Sequence, residues 1–328
     1  MRDARIKIDS VVGEAVYHCI SRAVARQRLF DARANDVFRR QLWAAADFSG
    51  VQVITYALLS NHFHVVIRVP RRVPLSDEEL LRRYQRLHPR PTERVRSTLA
   101  CLRAKLAANG PEAGVWRRKI QARMYDVSEF MKTWKQGFTL WFNPTHNRIG
   151  TLWASRFTSV LLEPMGFAAE AISAYVDLNA VRAGIVRDPK DYHFCGYAEA
   201  VSGQTSARTG LSSLYGTTSW QETHARYRQT LFGIGADARE GKAAISYEDF
   251  IRVVREKGRL PLSDVMLCRL RHFVHGGILG TRGFVQQQFE AYVKRTRPRP
   301  RTVPRALPPW ANWGDLCTMH KVRERDVA

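Results

Sequence analysis

The sequence predicts an α+β fold, and three observations predict it. The N-terminal region reads as strand, helix, strand, strand. Two apolar runs, 51–59 and 62–69, are separated only by Ser60-Asn61, so they pair as antiparallel neighbours. Much of the remaining chain spaces its apolar residues as helices do. With 328 residues, 45% of them hydrophobic, the chain can bury a substantial core and has room for two domains, one large and one small.

Taken in order, Glu14 to Ile20 (EAVYHCI) is rich in β-branched and aromatic residues and reads as a strand, followed by the basic stretch SRAVARQRLF. Asn35 to Phe48 carries Val37, Phe38, Leu42, Trp43 and Ala46 at helical spacing, and Ser49-Gly50 ends that helix. Val51 to Leu59 reads as a strand, and His62 to Val69 as a second one stopped by Pro70. Residues 71 to about 125 are charged, helical in pattern and broken by His88-Pro89-Arg90-Pro91 and Asn109-Gly110-Pro111, which reads as a helical insertion or arm. Ser128 to Phe142 is a more apolar helix with Asp126 or Ser128 as its cap. Arg148-Ile149-Gly150 turns the chain into Thr151 to Leu162, one or two strands. Gly166 to Val186 is an alanine-rich helix ending near Gly184.

Gly196 to Trp220 is rich in Gly, Ser and Thr and reads as a connection between domains. From about 220 to 294 the pattern is helical, with Asp249 to Lys257, Ser263 to Val274 and Thr281 to Lys294 as helices and Gly276-Gly277 as a turn. Helix, glycine turn and helix, with exposed Arg282, Gln286, Gln287 and Gln288, suit helix-turn-helix reading of DNA, and equally a plain helical bundle. Lys294 to Pro309 is proline- and arginine-rich and reads as a basic tail with no core of its own.

Fifty-two Lys and Arg against 30 Asp and Glu leave a net charge of +22. Like charges repel in a compact chain, so such an excess points to a polyanionic partner, nucleic acid first. A membrane surface competes for that charge. However, no apolar run spans a bilayer and no basic amphipathic helix has a bulky apolar face, so no membrane partner is expected. The segment MRDARIKIDS lacks the apolar core of a secretory signal. Five dispersed cysteines, Cys19, Cys101, Cys195, Cys268 and Cys317, form no CxxC pair, which argues against a disulfide framework or zinc ribbon. The expectation is a cytoplasmic protein that handles DNA or RNA.

Three groups of residues carry chemistry. In His62-Phe63-His64, positions i and i+2 of a strand point to one face, so both imidazoles project together and can bind a divalent metal; two strand histidines without a metal fit the same spacing. On the alanine-rich helix, Tyr175, Asn179 and Arg182 share one face at i, i+4 and i+7, although a tyrosine there also suits an ordinary half-buried aromatic. Arg156 falls between Trp153 and Phe157, an interleaving that suits phosphate contact and base stacking, or simply a solvated arginine on a strand. Considered together, these groups describe phosphodiester chemistry. A phenol attacks poorly at neutral pH and needs in-line placement and a cation on the phosphoryl oxygens. His62 and His64 would hold that cation, and Asn179 could add a neutral oxygen. Such a site suits Mg²⁺ or Mn²⁺: the imidazoles favour Mn²⁺ and cellular abundance favours Mg²⁺.

The runs YHCISRAVARQRLF (17–30), YALLSNHFHVVIRV (56–69), GTLWASRFTSVLLE (150–163) and AYVDLNAVRAGIV (174–186) resemble, in order, those of the single-tyrosine HUH transposases, and among them the REP-associated tyrosine transposase branch. The resemblance covers roughly residues 14–200. It implies a ferredoxin-like antiparallel sheet with helices packed on it and the HxH on a central strand. It implies Tyr175 as nucleophile and His62, His64 and Asn179 as ligands of a divalent cation. The substrate it implies is single-stranded, often hairpin-forming DNA, cut to a 5′-phosphotyrosine and a free 3′-hydroxyl and then rejoined. Arg22, Trp153, Arg156, Arg182 and Arg282 are the DNA-binding candidates. The implied division is a catalytic domain over 1–200 with the 71–125 insertion, a linker over 201–225, a helical domain over 226–294 and a tail over 295–328. Monomer and homodimer both stay open. Two departures stand out: Ala180 occupies a position where proline is frequent, and the arm is longer than in minimal members. A non-catalytic hairpin-binding regulator and a related HUH single-strand endonuclease are the alternatives. The nucleophile reading expects the Tyr175 hydroxyl to face the two imidazoles across a basic, solvent-open groove.

Overall fold

The computed structural model describes residues 5–89, 91–232, 266, 270, 272–275, 277–296, 304–307 and 312–319. The helix expected at Asp249 to Lys257 lies outside the described residues, as does most of Ser263 to Val274.

The fold is α+β. The first four strands are β1 (Ala15–Arg22), β2 (Gln52–Leu58), β3 (His62–Val69) and β4 (Thr158–Leu162). Strand β1 pairs antiparallel with both β3 and β4, and β2 pairs antiparallel with β3, giving the order β2-β3-β1-β4. Two split β-α-β units result: β1 and β2 are parallel around β3, and β3 and β4 are parallel around β1. This is the ferredoxin-like arrangement, with the HxH on an interior strand. Helix α1 (Ala32–Ser49) makes the first crossover. Asp31 caps its start by accepting from the Ala34 amide, and Gly50 ends it at φ 65°, a left-handed conformation that a Cβ disfavours.

Between β3 and the second crossover helix stand three helices, α2 (Asp77–Arg86), α3 (Glu93–Ala108) and α4 (Pro111–Gln121). This is the arm read from the sequence. Leu80 of α2 is buried, and Arg82 and Arg86 pair with Asp47 of α1. Helix α5 (Val127–Thr145), capped by Asp126, then leads back towards β4.

Alternation along the strands sends side chains into two separate cores. Tyr17, Cys19, Phe63, Val65 and Ile67 face α1 and α5, where Phe30, Phe38, Trp134, Phe138 and Phe142 form an aromatic layer. Burial of each such ring stabilises by roughly 1.5–3 kcal/mol. Val16, Val66, Val160 and Leu162 face the other side, covered by α6 (Phe167–Asp177) and by residues 195–231.

The alanine-rich helix is not continuous. It breaks at Leu178 into α6 and the short α7 (Asn179–Arg182). The Asn179 side-chain amide donates to the carbonyls of Tyr175 and Val176, and Arg182 also donates to the Tyr175 carbonyl; this side-chain competition accompanies the break. Immediately before the break, α6 is anchored by a buried carboxylate. Asp177 accepts from the Thr55 hydroxyl at 2.7 Å, from the Tyr197 amide at 3.3 Å and from the Tyr227 hydroxyl. Burial pushes its carboxyl up to about 7, against the lowering effect of these donors.

Two expectations are corrected. The stretch expected as a connection, 196–220, contains helices α8 (Gly196–Val201) and α9 (Thr205–Ser212) packed on β2, followed by α10 (Trp220–Phe232). Its glycines permit the close approach: a Cβ on Gly196 would meet Thr55 Oγ1 at 2.4 Å, and one on Gly210 would meet the Val53 carbonyl at 2.1 Å. The described C-terminal residues are also not wholly helical, and 304–307 and 312–319 are not a free tail. After α11 (His272–His275) comes strand β5 (Ile278–Thr281), parallel to β4, so a strand stands between Gly277 and the helix expected over Thr281 to Lys294. Helix α12 (Arg282–Thr296) follows, then β6 (Arg305–Ala306) and β7 (Leu316–Thr318), which complete a seven-stranded sheet in the order β2-β3-β1-β4-β5-β7-β6. Leu307, Trp313, Leu316 and Met319 are buried, apolar residues that proline-rich flanks concealed.

Gly210→Ala should lower stability by about 1–3 kcal/mol or more, read as a fall in the urea midpoint, because backbone on both sides must shift. Gly114→Ala, in the exposed arm helix with space around it, should instead raise stability by about 0.4–1 kcal/mol. For Asp177, the folded state holds its proton to a higher pH than the unfolded chain, so its contribution to stability declines as pH rises from 3.8 to about 7. Asp177→Asn lacks that titration. The difference in thermal midpoint between variant and wild type should move in the variant's favour across this window.

Candidate functional site

The β1–β3 register sets the site. Ile20 lies opposite His64 and Arg22 opposite His62, so His18, Arg22, His62 and His64 all project from the face covered by α6. The rings of His62 and His64 meet edge-on with centroids 5.3 Å apart. The ring of Tyr175, from α6, meets His64 edge-on at 6.3 Å. Arg182 lays its guanidinium over the Tyr175 ring, 3.8 Å from the centroid, and donates to the carbonyls of Tyr175 and Met266 at 2.8 Å each. Two sequence-distant segments, an early strand and a late helix, therefore converge.

The donor chemistry of the two histidines suits a cation. His62 Nδ1 lies 2.6 Å from Asn61 Oδ1, an acceptor, so Nδ1 carries a hydrogen, and in the neutral ring Nε2 holds the lone pair. His64 Nδ1 lies 2.9 Å from His18 Nε2, leaving its own Nε2 for another partner. Burial holds the His64 imidazole well below its usual range, and the guanidinium charges of Arg182 and Arg22 add to that. It is therefore neutral near pH 7, the form that ligates metals. Asn179 uses its NH₂ on the helix carbonyls of Tyr175 and Val176, so its Oδ1 makes neither of those bonds and remains an acceptor. Among the described residues, no group of three or more His, Cys, Asp or Glu is arranged to hold a metal ion. Any cation here would rest on two imidazoles plus oxygen donors of other kinds.

The groove is not solvent-open. Tyr175 is 2% exposed and His64 3%, and Asn179 is also buried. Phe273 packs its ring against Tyr175 at 5.2 Å, and its carbonyl lies 2.8 Å from His18 Nδ1. The covering segment is distant in sequence, which is why the sequence pattern did not announce it.

The DNA-binding candidates scatter. Arg22 is half-buried beside His62 on the site's face. Arg182 is half-buried against Tyr175. Arg156 is exposed in the loop before β4. Trp153 lies on the opposite face of the sheet, its ring packed among Phe30, Phe38, Phe63 and Phe138, with the Lys135 ammonium 4.8 Å from its centroid. Phe157 is covered by the Arg5 guanidinium at 3.5 Å. The interleaved Trp153-Arg156-Phe157 pattern thus forms no open stacking platform, because both rings serve the α1/α5 core. Arg282 is exposed at the start of α12, whose Val285 also packs on that opposite face.

The residue missed by the sequence reading is His18. It is fully buried, hydrogen-bonded to His64, and burial pushes its imidazole down to about 4. The alternation of Val16, His18 and Ile20 was visible, but its strand partner was not.

Among the described residues no helix is long and apolar enough to cross a membrane. No family model and no curated protein matches the chain. Among solved structures, it is similar to a REP-associated tyrosine transposase bound to a REP hairpin, at 13% identity and a TM-score of 0.39, over 62% of this chain and 87% of that one. A likeness this distant transfers no residue and no activity.

Proposed function

We propose that the protein is a DNA strand-transferase acting on single-stranded, hairpin-forming DNA, with Tyr175 as nucleophile. The observation that carries this reading is the convergence of Tyr175 with the His62–His64 pair, in a chain of net charge +22. His62 Nε2, His64 Nε2 and Asn179 Oδ1 would hold a divalent cation, Mg²⁺ or Mn²⁺, which when bound neutralises charge on the phosphoryl oxygens. Tyr175 gives up its phenolic proton and attacks phosphorus, the P–O3′ bond breaks, the 5′-phosphate end stays on the tyrosine as a 5′-phosphotyrosine, and the leaving O3′ takes a proton to become a 3′-hydroxyl. Attack by a second 3′-hydroxyl reverses the bond, so no external energy source is needed. The Arg182 guanidinium over the Tyr175 ring favours the approach of a phosphate. Arg22, on the same face beside His62, would supply a phosphate contact. With Tyr175 so enclosed, productive binding requires the Phe273 side chain to turn away from it.

That enclosure also favours a second reading, a hairpin-binding protein without turnover, and one assay separates the two. Single-stranded hairpin DNA is incubated with the protein and Mn²⁺ or Mg²⁺, and denaturing gels are read for a covalent protein–DNA adduct. The expected result is an adduct with wild type and none with Tyr175→Phe. Tight binding with no adduct under either metal selects the second reading. His62→Ala should lower cleavage by about 10²-fold or more, for loss of several kcal/mol of charge stabilisation. It should leave DNA affinity nearly unchanged in a filter-binding assay, because Lys and Arg contacts to phosphate carry most of that affinity.

A further inference from the structure

We propose that His18 is a positioning residue that sets the ring tautomer of His64 and thereby presents the His64 Nε2 lone pair to the cation. This inference rests on the metal-binding reading of His62 and His64 given above. It starts from an acceptor that has no proton to give. The Phe273 carbonyl, 2.8 Å from His18 Nδ1, can only accept, so His18 Nδ1 carries a hydrogen. His18 is fully buried, and its two ring nitrogens meet a carbonyl and an imidazole rather than a carboxylate, so its ring is uncharged. An uncharged imidazole with hydrogen on Nδ1 has a bare Nε2.

That bare Nε2 lies 2.9 Å from His64 Nδ1, which must then donate. The ring planes are inclined by only 21°, with centroids 5.1 Å apart. His64, itself buried, is thus held with hydrogen on Nδ1 and a lone pair on Nε2. The polarity runs one way: carbonyl of Phe273, His18, His64, open nitrogen. His62 reaches the same tautomer by a separate route, through Asn61 Oδ1. Reversing any link would turn His64 Nε2 into a donor and remove a ligand. Partners of this kind typically contribute about 10–100-fold to metal affinity.

Two measurements test the proposal. The first is a ¹⁵N-histidine long-range correlation spectrum of the metal-free full chain near neutral pH, which reads tautomers directly and needs neither DNA nor cation. The expected result is both His18 and His64 with hydrogen on Nδ1; a His64 with hydrogen on Nε2 overturns the relay, whatever the enzyme does. The second is Mn²⁺ binding by calorimetry. His18→Leu should weaken binding about 10–100-fold. His18→Gln, whose NH₂ can donate to the carbonyl and whose oxygen can accept from His64, should restore most of it. Thermal midpoints of both variants show whether they are folded. A folded His18→Leu that binds Mn²⁺ like wild type, or a folded His18→Gln no better than the Leu variant, overturns the proposal. If wild type binds no Mn²⁺ while the spectrum shows the expected tautomers, the metal reading fails and takes this role for His18 with it, although the hydrogen-bond relay stands.

Discussion

The antiparallel pairing of β1 with β3 is the constraint on which the rest depends. Strand side chains alternate with period two, so a slip of one residue would send His62 and His64 into the aromatic core beneath α1 and α5, and Phe63 outward. The observed register is held from both faces: Tyr17, Cys19, Phe63, Val65 and Ile67 interlock with the aromatic layer, and Val16 and Val66 with the residues under α6. The position of every candidate site residue on β1 and β3 follows from that register.

The second half of the site depends on how closely α6 lies on the sheet. Ala168, Ala169, Ala171 and Ala174 offer little bulk, and Asp177 ties the helix to Thr55 on β2 and to Tyr227 on α10. A buried carboxylate that accepts three donors is costly to disturb, since each unsatisfied partner loses about 1–3 kcal/mol. Tyr175 and Asn179 stand two residues before and after Asp177. The anchor therefore fixes the candidate nucleophile in depth, and the break at Leu178 sets the direction of Asn179.

The same packing explains why the site is enclosed. Segments far along the chain, carrying Met266 and Phe273, supply the carbonyls that hold Arg182 and His18, and the Phe273 ring packs on Tyr175. Strands β5, β7 and β6 extend the sheet beyond β4, so these late segments build onto the same sheet. An interior histidine donor chain, a cation over a tyrosine and a hydrophobic cover are all contributions to one small volume.

The amino-acid sequence by itself determined the N-terminal strand-helix-strand-strand order, the arm and the helix of Tyr175, because alternation, helical spacing and glycine stops act locally. It also determined that His62 and His64 share a face, since period two is a property of any strand. Only the tertiary structure decided that Trp153 and Phe157 are core residues, that 196–220 forms helices on β2, and that residues 305–306 and 316–318 join the sheet. It alone placed His18 behind His64 and Phe273 over Tyr175. Those relations depend on which strands become neighbours and on contacts between segments distant in sequence, where long-range packing, rather than local spacing, selects the partner.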